Sequence, residues 1–147
     1  MDKVRSGDGT EIAFERLGDR EPVMLISGSS TSRAVHASLA ELLAADFTVL
    51  NYDRRGRGDS GDTLPYAVER EIEDSGAVVT AGGGSAAVFG NSSGAVLALR
   101  AAAAGLPITR LAPWDSPFFV ATLSGARLRR GRQRWQASSD LPDRPGW

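Results

Sequence analysis

The chain has 147 residues, with 17 Lys and Arg against 18 Asp and Glu and a formal net charge of −1. That length is enough for one domain with a proper core, and the charge balance carries no electrostatic footprint for nucleic acid or an acidic partner. There is no cysteine, which excludes a disulfide frame and a thiolate metal site.

The first residues, Met1-Asp2-Lys3-Val4, lack the basic-then-apolar plan of a signal peptide. No apolar run approaches a membrane span, so a cytoplasmic location is expected. Lys3 is the single lysine; the other basic residues are arginines, a sign of GC-rich coding more than of a binding property. An extended piece near Lys3–Ser6 leads to a turn at Gly7-Asp8-Gly9. Glu11–Arg16 alternates polar and apolar, as a half-exposed strand should. After a polar loop, Val23-Met24-Leu25-Ile26 is continuously apolar, the mark of a central strand covered on both faces.

Ser27–Ser32 is a loop of small residues rich in backbone N–H groups. The helix after it is expected to bury Val35, Leu39, Leu42 and Leu43 on one face, with Thr31 or Ser32 as its cap. His36, the sole histidine, falls one turn into that helix and reads as a partly exposed helix residue; it is also the one imidazole available as a base. Phe47–Tyr52 is the next strand, followed by Asp53-Arg54-Arg55-Gly56-Arg57-Gly58-Asp59-Ser60-Gly61. Gly56-x-Gly58-x-x-Gly61 spells the dinucleotide fingerprint, which needs its first glycine directly after the strand and its last opening a helix. Here Asp53-Arg54-Arg55 intervenes and Asp62-Thr63-Leu64-Pro65 follows, so the match is weak. Arg57-Gly58-Asp59 spells an integrin-type tripeptide, read as coincidence.

Pro65–Asp74 reads as a helix with an acidic outer face. Its continuation is poor, because Gly76 costs about 1 kcal/mol relative to Ala inside a helix, and Gly82-Gly83-Gly84 ends it. Ser85–Leu99 then runs as an apolar strand, a Gly-x-Ser-x-Gly turn and a helix of small apolar residues expected to be buried. Ser92 is expected in strained backbone geometry that frees its hydroxyl from the main chain. Gly90 and Gly94 stand where a Cβ would collide as strand and helix close up. Ser93 opens the helix, with its N–H aimed where an oxyanion would form. Leu106–Pro113 gives another strand, ending at Trp114-Asp115-Ser116-Pro117-Phe118.

Asp-x-Arg-Gly-x-Gly-x-Ser after a strand, with Gly-x-Ser-x-Gly roughly thirty residues later, resembles the α/β-hydrolase superfamily of esterases, lipases and related enzymes. The resemblance runs from about Gly9 to about Phe118 and implies a three-layer α/β/α sandwich with a mostly parallel sheet, the N-terminal part of that fold, over residues 1–118. It implies a serine-dependent hydrolase for an ester or similar acyl substrate, with Ser92 as nucleophile and backbone N–H groups of Ser29 or Ser30 and of Ser93 as oxyanion donors. It further implies that the segment after Tyr52 turns tightly behind the active site, with Ser60 hydrogen-bonded inside it. No cofactor or metal is implied.

The family order of serine, acid, histidine places the histidine far downstream, where this chain has none. Asp115 stands where some members carry their acid, and His36 is the one base within the chain. Loss of the histidine that usually opens the loop at Ser27 leaves its backbone donors in place. The chain on its own is therefore expected to be a poor esterase, and the alternative is a non-catalytic α/β remnant or binding module using the same pocket. Residues 119–147 form an Arg-rich tail atypical of the family, with the composition a GC-rich gene yields out of frame. The strand at 108–113 then has a bare outer edge beside Trp114, Phe118 and Phe119, and a homodimer or aggregation through that edge is expected unless the tail folds back over it.

Overall fold

A continuously apolar strand needs partners on both edges and cover on both faces, and Val23–Ile26 obtains all of these. The computed structural model describes residues 1–117; the expected tail, with Phe118 and Phe119, lies outside the described residues. Strands β1 (Asp2–Arg5), β2 (Glu11–Leu17), β3 (Pro22–Ile26), β4 (Thr48–Tyr52), β5 (Ala86–Asn91) and β6 (Ile108–Trp114) form one sheet in the order β1-β2-β4-β3-β5-β6. The β1–β2 and β2–β4 pairs are antiparallel. β3 to β6 run parallel, as expected, with β3 beside β5 and Ile26 opposite Gly90.

Successive side chains of a strand point to opposite faces, which decides the helix each one meets. Met24 and Ile26 of β3, Leu50 and Tyr52 of β4 and Val88 of β5 form one cluster with Val78 and Val79 of α2 (Val68–Ala81) and Leu97 and Ala98 of α3 (Ser93–Ala103). Val23, Leu25 and Val49 point the other way and pack with Ala40 of α1 (Ala37–Leu43), beside Leu39, Leu43 and Phe47. The result is a three-layer α/β/α sandwich. Among the described residues no helix is long and apolar enough to cross a membrane.

Four local expectations are corrected. Residues 33–36 are a 3₁₀ turn, not the first α-helical turn, and its tighter winding shifts the phase of α1 behind it. Val35 and Leu42 are consequently 55% and 75% exposed, while Ala40 is fully buried in their place. α2 starts at Val68 rather than Pro65 and runs through Gly76 to its end at Gly82. Packing of Val78 and Val79 into the core outweighs the glycine's propensity cost. The acidic face of α2 is not all outward, since Glu71 and Asp74 are each 1% exposed. α3 is buried on one side only, with Arg100 and Ala102–Ala104 in solvent.

Gly76 has ordinary helical surroundings: a Cβ there would meet nothing nearer than Leu106 at 3.8 Å. Gly76→Ala is therefore expected to stabilise the fold by about 0.5–1 kcal/mol. Urea unfolding should show a raised midpoint at unchanged slope.

Candidate functional site

The site lies at the carboxyl edge of the parallel strands, where β5 turns into α3. Asn91 ends the strand, Ser93 begins the helix, and Ser92 between them has φ 52° and ψ −124°. A non-glycine residue holds that geometry only when its surroundings over-determine it. They do so here by close backbone approach. A Cβ on Gly90 would stand 2.6 Å from the Gly94 carbonyl oxygen, and one on Gly94 would stand 2.3 Å from that of Ile26. Both distances are far inside van der Waals contact, so the two glycines are steric requirements of the turn. The Ser92 N–H donates to the Trp114 carbonyl at 2.9 Å, and its own carbonyl accepts from the Ala95 N–H at 3.0 Å. Its side chain makes no capping bond to α3, which leaves the hydroxyl unspent.

The loop after β3 passes directly over this turn, with the Gly28 Cα hydrogen side facing Ser92: a Cβ at Gly28 would be 3.6 Å from the Ser92 Cβ. Ser29 and Ser30 are exposed, Ser92 and Ser93 half-buried. The loop, Ser92 and Ser93 are thus brought together at one end of the sheet. Asp115 follows β6 directly, is exposed, and takes φ 50°. In β6, Trp114 stands in register with Asn91, so Asp115 is at the same sheet edge as the turn.

His36 departs from its expected surroundings, being buried at 6% exposure rather than partly exposed. Its Nε2 is 3.0 Å from the Asn91 Oδ1, its ring meets Phe89 edge-on at a centroid distance of 5.7 Å, and its Nδ1 has no partner among the described residues. With Asn91 accepting, Nε2 carries the proton. The imidazole is paired with the residue before Ser92 and not with Asp115. Burial pushes its pKa below the ordinary 6.5, opposed by the Asn91 hydrogen bond.

Sequence reasoning missed the buried charges that frame the site. Asp53, fully buried, accepts from the Arg33 N–H at 2.7 Å and the Asp59 N–H at 2.9 Å, and pairs with the Arg33 guanidinium. Ser60 donates to the Asp53 carbonyl at 2.7 Å, inside the turn as expected, and accepts from the Ala13 N–H at 2.9 Å, which ties the turn to β2. No helix opens at Gly61, so the dinucleotide fingerprint lacks its context. Arg54 pairs with Glu71 of α2 through Nε, at 2.9 Å, and Nη2. Arg55 forks onto Asp74 with two bonds of 2.7 Å and reaches Asp8 at 2.9 Å, which holds the Asp8 carboxyl well below the usual carboxylate range. The available signal was the spacing of Glu71 and Asp74, three apart on one helix, after two consecutive arginines. Among the described residues, no group of three or more His, Cys, Asp or Glu side chains is placed to hold a metal ion.

The model of the alpha/beta hydrolase family matches residues 23–147. An alpha/beta hydrolase from Sphaerobacter thermophilus DSM 20745 is 62% identical with a TM-score of 0.80, over 82% of this chain and 47% of that one. The bottromycin epimerase BotH, in complex with bottromycin A2, is 34% identical with a TM-score of 0.69, over 76% of this chain and 47% of its own. A thermophilic esterase from Thermogutta terrifontis is 26% identical with a TM-score of 0.74, over 83% and 47%. The chain therefore spans less than half the length of each of these relatives. No curated protein matches it.

Because the folded-state pKa of His36 is lowered, the unfolded chain binds the extra proton first as pH falls. The stability due to neutral His36 is complete above about pH 6.5 and is lost progressively below it. Thermal unfolding midpoints should fall between about pH 7.5 and about pH 5.5, and His36→Gln should flatten that slope. An equally steep slope in the variant would assign the titration to another group.

Proposed function

The chain belongs to the alpha/beta hydrolase family, and on that premise we propose that it carries the nucleophile half of a serine-dependent hydrolase for an ester or related acyl substrate. One observation carries the reading: Ser92 sits at a strained strand-to-helix turn with its hydroxyl free and a loop of backbone N–H groups beside it. In this reading the Ser92 Oγ attacks the acyl carbon and passes its proton to a base. The tetrahedral oxyanion is held by the N–H of Ser93 and that of Ser29 or Ser30. The alcohol leaves with a proton, and water hydrolyses the acyl-serine. Asp115, at the same sheet edge, is the candidate orienting acid.

The base is the weak point. His36 has Nε2 committed to Asn91, and a protonated serine hydroxyl is a poor nucleophile. A triad lacking one member retains on the order of 10³-fold catalysis over water from its oxyanion donors and binding. That observation favours a second reading, in which the same pocket binds a ligand without turning it over. The Sphaerobacter and Thermogutta relatives are described as a hydrolase and an esterase, whereas BotH is an epimerase, so the fold alone does not choose.

A fluorophosphonate probe decides between them. Slow but complete labelling of the wild type at Ser92, absent in Ser92→Ala, is the expected result, and no labelling leaves only the binding reading. Turnover of p-nitrophenyl acetate by this chain alone is expected near background and unchanged in His36→Ala. Brisk wild-type turnover abolished by His36→Ala, with the fold intact, would make His36 the base.

The same proposal includes a second copy of the chain as partner. Among the described residues β6 is paired on one side only, by β5, and Trp114 at its end is 68% exposed. Light scattering should show the mass rising toward that of a dimer with concentration; a constant single-chain mass removes this partner from the proposal.

A further inference from the structure

Resting on the reading of Ser92 as nucleophile, we infer that the buried Glu71 carboxylate of α2 is a positioning residue: through Arg54 and Arg57 it fixes the peptide planes of the loop over Ser92 and locks that loop to the start of α3. Glu71 is 1% exposed and holds both guanidinium groups, Arg54 on Oε2 and Arg57 on Oε1 at 3.4 Å. Neither arginine spends all its donors there. The Arg54 Nη1 donates to the Ser27 carbonyl at 3.1 Å and to the Ser93 hydroxyl at 3.0 Å. The Arg57 Nε donates to the Ser29 carbonyl at 2.5 Å. The Gly28 carbonyl between them is held by the Thr31 hydroxyl at 3.2 Å.

Three consecutive carbonyls of the loop are therefore pinned. A trans peptide carries its C=O and N–H on opposite sides of the bond. Pinning the carbonyls of Ser27, Gly28 and Ser29 accordingly fixes the directions of the N–H groups of Gly28, Ser29 and Ser30. Those are the groups that a developing oxyanion would need, and donors of this kind act only if aimed before the charge forms. The same Arg54 grips Ser93, so both sides of the cradle refer to one side chain. Two guanidinium groups against one carboxylate also leave a positive charge in excess beside the loop.

Stability alone does not account for the arrangement. Buried ion pairs are frequently no better for stability than well-packed apolar residues. The same helix carries a second buried pair, Asp74 with Arg55, whose remaining bonds go to Asp8 and the Arg70 carbonyl and not to the loop. Asp74 thus serves as an internal control. It shares the helix, the burial and the type of partner, and lacks only the connection to Ser27–Ser30.

The test is backbone ¹⁵N relaxation of the folded chain in Glu71→Gln, Asp74→Asn and Arg57→Met, with fluorophosphonate labelling measured in parallel. Glu71→Gln is expected to lower the backbone order parameters of the Gly28 and Ser30 amides from rigid values of about 0.85 to below about 0.6 and to slow labelling of Ser92 by about tenfold or more. Asp74→Asn should change neither at those positions, although it destabilises the chain. Arg57→Met keeps the Arg54–Glu71 pair and should loosen Ser30 alone, which preserves the test if Glu71→Gln does not fold. Order parameters at Gly28 and Ser30 in Glu71→Gln, or at Ser30 in Arg57→Met, that are no lower than in Asp74→Asn overturn the inference, whatever Ser92 does. A wild-type Ser92 that does not label, with the loop still loosened by Glu71→Gln, overturns the nucleophile reading and leaves the clamp standing.

Discussion

Three stretches of main chain meet at the carboxyl edge of the sheet with no room for a side chain between them, and the rest of the site depends on that contact. The end of β3, the end of β5 and the first turn of α3 touch backbone to backbone at Gly90 and Gly94. Ser92 is thereby forced into a left-handed φ, its hydroxyl is turned away from the helix it caps, and the loop after β3 is drawn across it. The energetic cost of such a residue, of order 1–3 kcal/mol, is offset by the two core clusters on either side of the sheet. The strands that fill those clusters are the ones whose ends converge here, so core packing and site geometry are one constraint seen from two directions.

How much of this was legible in the sequence depends on which residues are self-sufficient. β3 and β5 were legible because an apolar run specifies a two-sided strand without reference to anything else. The turn at Ser92 was legible because Gly-x-Ser-x-Gly encodes its own sterics. The inward acids of α2 were not, since a carboxylate at helical spacing reads as solvent-facing until its cation is known. Arg54 and Arg55 come from a different loop, and their pairing with Glu71 and Asp74 is a tertiary fact. His36 was misjudged for a related reason. Its burial depends on Phe89 and Asn91 from β5 and on a 3₁₀ turn that the helical pattern of the following residues conceals.

The two sides of the sheet divide the labour. α2 and α3 cover one face and bring in the buried carboxylates that hold the loop after β4. On the other face α1 packs over β3 and β4, and among the described residues an apolar groove lined by Leu39, Leu43, Phe47, Phe89 and Ala112 lies between it and the outer strands. The charged framework and the apolar groove are thus on opposite sides of the strands that present Ser92. Changes to one can be made with little direct contact to the other.

The pairing of Arg54 with Glu71 also has a historical consequence. Removing Glu71 first strands the Arg54 guanidinium as a buried charge without its counter-ion, and removing Arg54 leaves Glu71 only Arg57 at 3.4 Å; breaking a buried pair from one side costs about 3–5 kcal/mol, a large fraction of the stability of a small domain. Both must change together for the framework to be lost at little cost, and single-nucleotide steps rarely do that. The scaffold around Ser92 is therefore expected to decay slowly: a lineage keeps the architecture of its pocket as an inherited fossil, available for a new ligand, whether or not the serine is in use.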